Sequence, residues 1–420
     1  MPFGFYIIMA AQFFSALADN ALLIAAIAAL RDMHAPAEYE PLLRTVFTVS
    51  YVVLAAVVGA FADSMPKGRV MLVCNSIKVV GCMMMMLGVH PLVVYAVVGL
   101  GAAAYAPAKY GILTEYLPHR QLVLANGWME TLTVLAIIFG VGLGGVLVVP
   151  SVGGFLLSFD FPLVDFGINT AVDAAVAVIG VLYLIATVFN LFVPNTGVEN
   201  KPLAMNPIRL GREFYHCLSL LWHDRLGQVS LAVTTLFWGA GATLQFIVIK
   251  WAEVALGLDL SEAAWLQGSV AVGVVIGAVL AANVITLRKS VRVIPLGIAM
   301  GLLVLLLNAV RSLWLAIPLI VFVGIVSGFF VVPMNALLQH RGHRLMDAGK
   351  SIAVQGFNEN LSILIMTGMY FLLIRVDMSI YWVLTLFGLL VAGFMLVFRR
   401  LHIANQRICD DVSLLDDSPC

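Results

Sequence analysis

Long apolar segments recur along the whole chain and are separated by short polar loops. Each segment has 18 residues or more, enough for a helix to cross a bilayer core of about 30 Å. Apolar residues lie nearly all the way round each segment, as in helices that contact both lipid and neighbouring helices. The alternating pattern of a membrane strand is absent. The pattern predicts twelve transmembrane helices, at residues 5–30, 44–63, 69–89, 91–114, 122–148, 170–194, 229–256, 263–287, 290–309, 313–338, 348–374 and 378–399.

Composition supports a membrane location and argues against several classes of function. Of 420 residues, 62% are hydrophobic and only 11% are charged, which is too little charge to cover a soluble protein. The first segment has no basic stretch before it, so we expect a retained helix rather than a signal peptide. The net charge of zero gives no indication of a nucleic-acid partner. No nucleotide loop, metal-ligand spacing or catalytic triad order stands out, so we expect no cofactor, no metal and no enzymatic activity.

Basic residues predict the orientation of the chain. Sixteen of the 23 Lys and Arg residues fall in one alternating set of loops or in the C-terminal tail, and only four lie in the opposite loops. The positive-inside rule makes the richer set cytoplasmic, so we predict that both termini are cytoplasmic. The other three, Lys78, Lys109 and Lys250, lie within predicted helices. We expect Lys78 to snorkel towards the nearby cytoplasmic end of its helix.

The second half of the chain repeats the first. Pro107 and Pro333 occupy matching apolar segments, and a second match follows about 25 residues later, centred on Glu130 and Glu359. In both copies an amide, a glycine and an aromatic residue precede the glutamate at the same spacing. Such repeats build transporters from two half-bundles around a central path.

The repeat and the loops divide the chain into four parts. We predict an N-terminal six-helix bundle at 1–194, a cytoplasmic linker with an interfacial helix at 195–228, a C-terminal six-helix bundle at 229–399 and a cytoplasmic tail at 400–420. The predicted fold class is an all-α polytopic membrane protein with two pseudo-symmetric six-helix bundles.

Charged side chains inside predicted helices are candidates for function, because a charge there costs at least about 2.5 kcal/mol. Asp19 lies about 14 residues into the first predicted helix, next to Asn20. Glu359 and its repeat partner Glu130 lie in later helices, and Lys109 is a candidate to bind an anion. Each also has a structural interpretation as a buried hydrogen-bonding group or a static ion pair.

The loop after the second predicted helix contains Gly59, Asp63, Lys67, Gly68 and Arg69. A plain basic turn at the lipid headgroups would explain the Lys and Arg but not the Asp and glycines together. This spacing resembles the signature cytoplasmic loop of the major facilitator superfamily. The resemblance implies the major facilitator fold and a gating role for Asp63, Lys67 and Arg69, with Asp63 holding the two halves together on the cytoplasmic side.

Longer segments, including residues 11–23, 101–113 and 328–339, resemble the bacterial lysophospholipid transporter family within that superfamily. Its members move lysophosphatidylethanolamine and lysophosphatidylglycerol from the outer to the inner leaflet of the bacterial inner membrane, where an acyltransferase restores the second acyl chain. The resemblance implies the same location, the same function and alternating access of two half-bundles. It also implies a separate acyltransferase/acyl carrier protein synthetase as functional partner, and we expect a monomer.

Family residues important for transport map onto Asp19, Asn20, Lys109 and Glu359. An arginine of the family's seventh helix is replaced here by Gln245, which removes a candidate phosphate clamp and leaves the headgroup preference open. Two alternatives remain. One is a proton-coupled exporter or symporter of small molecules with the same fold, and the other is a non-transporting scaffold for the acyltransferase.

Overall fold

The computed structural model describes residues 1–36, 39–158, 170–203 and 206–408. The described residues form fifteen α-helices joined by short turns and three 3₁₀ helices, without strands. The α-helices are α1 (Phe3–Asp32), α2 (Tyr39–Val53), α3 (Ala55–Asp63), α4 (Lys67–Met86), α5 (Pro91–Tyr116), α6 (Leu122–Leu147), α7 (Pro150–Leu157), α8 (Ala171–Leu191), α9 (Pro207–His223), α10 (Arg225–Leu256), α11 (Leu260–Val284), α12 (Ile294–Leu306), α13 (Leu313–Leu345), α14 (Ala348–Arg375) and α15 (Ile380–Ile408).

Eleven helical segments of the described chain are long and apolar enough to cross a membrane. The helices α2 and α3 pass the same test as a pair, bent by 63° at a one-residue break. This pair covers the predicted second span, 44–63, so counting it as one span gives the predicted twelve. The sequence-based fold class is confirmed: the chain is an all-α, multi-pass membrane protein.

The chain divides into two compact units. Unit 1 holds the described residues of Met1–Glu115, Leu135–Phe214 and Ala348–Ala353, and unit 2 holds the remainder. The helices α6, α9 and α14 each contribute residues to both units. The bundle boundaries drawn from the sequence stay a prediction, because compact units need not follow sequence halves. Residues 409–420 of the predicted tail lie outside the described residues.

In unit 1, α8 packs against both α1 and α4. Tyr183 and Ile179 of α8 are completely buried in an apolar core that also contains Leu22 of α1. The C-terminal half of α6 lies close to α1. A Cβ atom on Gly140 would come 2.5 Å from the carbonyl oxygen of Leu17, so only glycine fits there. Small residues at such a contact let two helices in a membrane approach until their backbones touch.

In unit 2, α11 and α13 pack closely along their lengths. Four glycines make this possible: Gly273 and Gly277 on α11, and Gly324 and Gly328 on α13. A Cβ atom on any of them would overlap a backbone carbonyl oxygen of the facing helix, which for Gly277 is that of Ile325. The close contact compensates for the weak hydrophobic drive between helices in lipid, since every backbone group that approaches adds dispersion energy.

The linker helix α9 begins with a side-chain cap. Asn206 precedes it, and its side-chain oxygen accepts hydrogen bonds from the backbone N–H groups of Ile208 and Arg209 at 3.0 and 3.3 Å. Leu210 and Leu221 are buried on one face, whereas Ile208 remains 77% exposed on the other. The helix is therefore amphipathic in its burial as well as in its sequence.

We predict that Gly277→Ala lowers the thermal stability of the detergent-solubilised protein. The added methyl group has no room against the Ile325 carbonyl, and overpacking of this kind costs about 1–3 kcal/mol. Gly268→Ala on the same helix is the matched control, because nothing lies within 4 Å of its Cβ position. The control should be neutral or slightly stabilising, since alanine favours a helix over glycine. Equal melting temperatures for the two variants would contradict the packing described.

Candidate functional site

A buried three-charge cluster lies at the start of α4. The Lys67 ammonium donates to the carbonyl oxygen of Ala62 at 2.8 Å and to Asp63 Oδ1 at 2.6 Å, and it lies 3.1 Å from Glu115 Oε1. The three side chains are only 4–6% exposed. Two hydrogen bonds and one further ion pair therefore hold the Lys67 ammonium in the cluster. The cluster carries one positive and two negative charges, and one negative charge is left to be balanced.

The N-terminus of α14 offsets part of that charge. Asp63 Oδ1 accepts the backbone N–H of Gly349 at 2.8 Å, and Oδ2 accepts that of Lys350 at 2.9 Å. These N–H groups belong to the first turn of α14, where the helix dipole favours an anion. Asp347 precedes the helix but makes no side-chain capping hydrogen bond. Asp63, 286 residues away in the sequence, therefore caps α14 in its place.

Two glycines allow α3 and the first turn of α14 to approach. A Cβ atom on Gly59 would lie 2.8 Å from Ala353 Cβ and 3.0 Å from Lys350 Cα. A Cβ atom on Gly349 would lie 2.6 Å from Asp63 Oδ1. The glycine and the aspartate of the loop motif thus act together: one makes space for α14 and the other caps it.

The side chain of Lys350 extends this contact to α9. Its ammonium lies 3.5 Å from Glu213 Oε2, and Arg209 donates to Glu213 Oε1 at 2.9 Å. The hydrogen bond from Arg209 lowers the pKa of the Glu213 carboxyl below its usual value, against a smaller opposing effect of burial. Glu213 is thereby held in its charged form beside Lys350.

A second charged cluster lies inside the membrane-spanning part of unit 1. Asp19 of α1 accepts from the Lys78 ammonium of α4 at 2.8 Å and from the Tyr183 hydroxyl of α8 at 2.7 Å. Lys78 also donates to Ser15 Oγ at 3.0 Å, and Ser15 donates to Asn75 Oδ1 at 2.8 Å. Three helices meet at one ion pair, which satisfies both partners in a region where neither would be stable alone.

The expectation that Lys78 snorkels is wrong. Its side chain is 1% exposed, and its ammonium lies 5.1 and 5.5 Å from the ring centres of Tyr105 and Tyr183. Lys78 is eleven residues, or about three turns, beyond Lys67 at the start of α4, too deep to reach the headgroups. A lone lysine at that depth is a signal in the sequence for a buried carboxylate partner.

A third polar cluster lies in unit 2. Gln355 of α14 donates to Glu359 Oε1 at 2.8 Å and to Asn335 Oδ1 of α13 at 3.2 Å. Glu130 of α6 is 7% exposed. The two glutamates paired by the sequence repeat both belong to unit 2. Asn335 stands two residues after Pro333, the position that Lys109 holds after Pro107.

The other predicted residues lie at separate places. Asn20 donates to the carbonyl oxygen of Ala16 within α1 at 2.8 Å. The ammonium of Lys109 lies 4.7 Å from the ring centre of Tyr110, and Gln245 is half-buried on α10. Arg69 is exposed, outside the cluster formed by Asp63 and Lys67. Lys78, Tyr183 and Glu115 join clusters without having been assigned a role from the sequence.

Similarity to known proteins shows which family this chain belongs to. The model of the Major Facilitator Superfamily matches residues 8–366. The curated lysophospholipid transporter LplT of Yersinia pestis (strain Pestoides F) is 41% identical over 369 residues, 88% of this chain and 86% of the relative. The chain belongs to the lysophospholipid transporter family of the major facilitator superfamily. The resemblance seen in the sequence is confirmed.

Solved structures of other transporters have a fold similar to that of this lysophospholipid transporter family member. The human organic anion transporter MFSD10 (TETRAN) has a TM-score of 0.73 at 14% identity, covering 96% of this chain and 100% of that one. The transporter FucP has a TM-score of 0.69 at 16% identity, covering 95% and 98%. At such low identity the likeness establishes the fold alone.

We predict that Lys67→Met strongly lowers the melting temperature in detergent. It leaves Asp63 and Glu115 buried without their cation, and breaking a buried ion pair from one side costs about 3–5 kcal/mol. Adding Glu115→Gln should recover part of the loss. Lys289→Met, at an exposed lysine of the corresponding loop in the second half, is the control and should change stability by less than about 0.5 kcal/mol. A Lys67→Met protein as stable as the control would contradict the cluster.

Proposed function

We propose that this protein is a lysophospholipid flippase. It moves lysophosphatidylethanolamine and lysophosphatidylglycerol from the outer to the inner leaflet of the bacterial inner membrane. The observation that carries the proposal is the 41% identity, over 88% of the chain, to a curated relative named as a lysophospholipid transporter. The polar clusters inside apolar spans support it, because a lipid headgroup needs polar partners to cross the bilayer core.

A lysophospholipid has one acyl chain, which allows headgroup and tail to follow different routes. The headgroup would pass the polar residues Asp19, Asn20, Lys109, Glu130, Gln245 and Glu359, while the tail stays in lipid. Carboxylates such as Asp19 suit an ammonium group, and Lys109 suits a phosphate. Rocking of two half-bundles about these residues would open the path to each side in turn.

Asp63 would be the cytoplasmic gate of this cycle. Its bonds to the first turn of α14 join segments from the two halves of the sequence. Opening to the cytoplasm would separate α14 from Asp63, and Lys67 would then hold the released carboxylate. Arg69 is exposed and would remain a surface charge at the lipid headgroups throughout the cycle. It would not need to lose a contact when the gate opens.

Location and partners follow from the same proposal. The excess of basic residues in one set of loops supports a cytoplasmic location for both termini. An acyltransferase/acyl carrier protein synthetase on that side would consume the flipped lipid, and the removal of product would keep transport running inward. The transporter would work as a monomer, without a cofactor and without catalysing a reaction itself.

The proposal predicts inward flipping of labelled lysophosphatidylethanolamine by purified protein in proteoliposomes. Flipping should occur without an ion gradient, because labelled lipid added to the outer leaflet can move inward down its own concentration gradient. The control is the same vesicles without protein. If folded protein moves neither lysolipid, with or without a proton gradient, the proposed function is wrong.

Glu359→Gln should reduce flipping at least about tenfold while leaving the folded protein intact. The variant keeps the hydrogen bond with Gln355 but can no longer form the carboxylate that would pair with a headgroup ammonium, and charge-assisted bonds are roughly twice as strong as neutral ones. Glu253→Gln is the matched control, at a partly exposed pair with Lys250. The control should flip at the wild-type rate. Full activity in Glu359→Gln would remove Glu359 from the transport path.

One observation favours the proton-coupled alternative. Glu130 is buried and Glu359 is half-buried in membrane-spanning helices of unit 2, and intramembrane carboxylates serve as proton relays in transporters. Transport that stops when the proton gradient is collapsed would support coupling and would exclude a purely facilitative flippase. Rates that are equal with and without the gradient would exclude coupling.

A further inference from the structure

We propose that Lys78 determines which headgroups the transporter accepts. By neutralising Asp19 it prevents that carboxylate from selecting a cationic headgroup over an anionic one. The inference rests on the proposed function and deepens it, because it concerns the substrate class handled along the same path. Lys78 acts through Asp19 and is a positioning residue rather than a direct ligand.

The geometry separates the roles of the two partners. The Lys78 side chain is 1% exposed and the Asp19 side chain is 19% exposed. Of the pair, Asp19 is therefore the member that a headgroup could reach. Its two oxygens are already engaged, one by the Lys78 ammonium at 2.8 Å and the other by the Tyr183 hydroxyl at 2.7 Å. A headgroup would meet a carboxylate whose charge is largely cancelled.

Further contacts hold Lys78 in place beside Asp19. Its ammonium donates to Ser15 Oγ and lies over the rings of Tyr105 and Tyr183, which stabilise a cation. A Cβ atom on Gly101 of α5 would come 3.0 Å from Lys78 Cγ, so α5 confines the aliphatic stem. The ammonium is directed at Asp19 by its whole surroundings.

The neutral pair has a chemical consequence for the two lipids. Lysophosphatidylethanolamine is zwitterionic, whereas lysophosphatidylglycerol carries a net negative charge. An unpaired Asp19 would attract the ammonium of the first and repel the phosphate of the second, and like-charge contacts are strongly unfavourable where water is excluded. With Lys78 present, the pair is neutral and both headgroups can pass.

The test compares flipping of labelled lysophosphatidylethanolamine and lysophosphatidylglycerol in proteoliposomes. Lys78→Met should raise the ratio of the first rate to the second by about tenfold, and Asp19→Asn should lower it, since each leaves the opposite charge unpaired. The double variant has neither charge, and its ratio should return to within about twofold of wild type. Lys250→Met, at a partly exposed pair with Glu253, is the control and should leave the ratio unchanged.

The ratio separates selectivity from a structural role, because a loss of fold slows both lipids alike. If Lys78→Met fails to fold, Asp19→Asn and the charge-balanced double variant still test the ratio. Equal ratios in wild type, Asp19→Asn and the double variant would overturn the inference while leaving the proposed function standing. Absence of flipping by folded wild-type protein would overturn the proposed function, and the inference with it.

Discussion

The cost of holding charge inside a bilayer governs the arrangement of this protein. A carboxylate or ammonium in a low-dielectric region is stable only beside an opposite charge or several hydrogen bonds. Each buried charge cluster satisfies that condition with residues from different helices. Asp19 meets Lys78 and Tyr183, and Asp63 meets Lys67 and the first turn of α14. The ion pairs therefore fix which helices must be neighbours.

The same constraint supports the gating role proposed for the Asp63 cluster. A helix N-terminus carries only a partial positive charge, so its bond to Asp63 is weaker than a full ion pair. Lys67 keeps the carboxylate neutralised when that bond is absent, which limits the cost of separating α14 from Asp63. A contact that is specific in geometry but modest in energy can be broken in every transport cycle.

Glycine contacts supply the packing on which these clusters depend. In lipid, helices gain little from hiding apolar surface, and close backbone approach replaces that driving force. Gly59 admits the first turn of α14 beside Asp63, and Gly101 sets α5 against the stem of Lys78. Facing glycines join α11 to α13 over several turns. Small residues thus let the helices approach until the charged side chains meet. The ion pairs in turn fix how each helix is aligned against its neighbour.

The sequence by itself determined the number and placement of the membrane helices, because an apolar run of sufficient length has no other stable position. It also identified Asp19, Asp63, Lys67 and Glu359 as candidates, since a charge within or beside such a run is costly unless it has a partner or a function. The resemblance to one transporter family was equally readable from local segments. These features depend on residues that are near one another in the chain.

Only the tertiary structure decided the partners. Asp19 and Lys78 are 59 residues apart, and Asp63 is 286 residues from Gly349. No local pattern links them, because pairing depends on which helices pack together and how each is rotated. The burial of Lys78 also depends on helix packing: a lysine near a helix end can reach water, whereas Lys78, about three turns into α4, is a buried counter-ion. Local sequence is enough to predict the helices, but the ion pairs form only when the helices pack together.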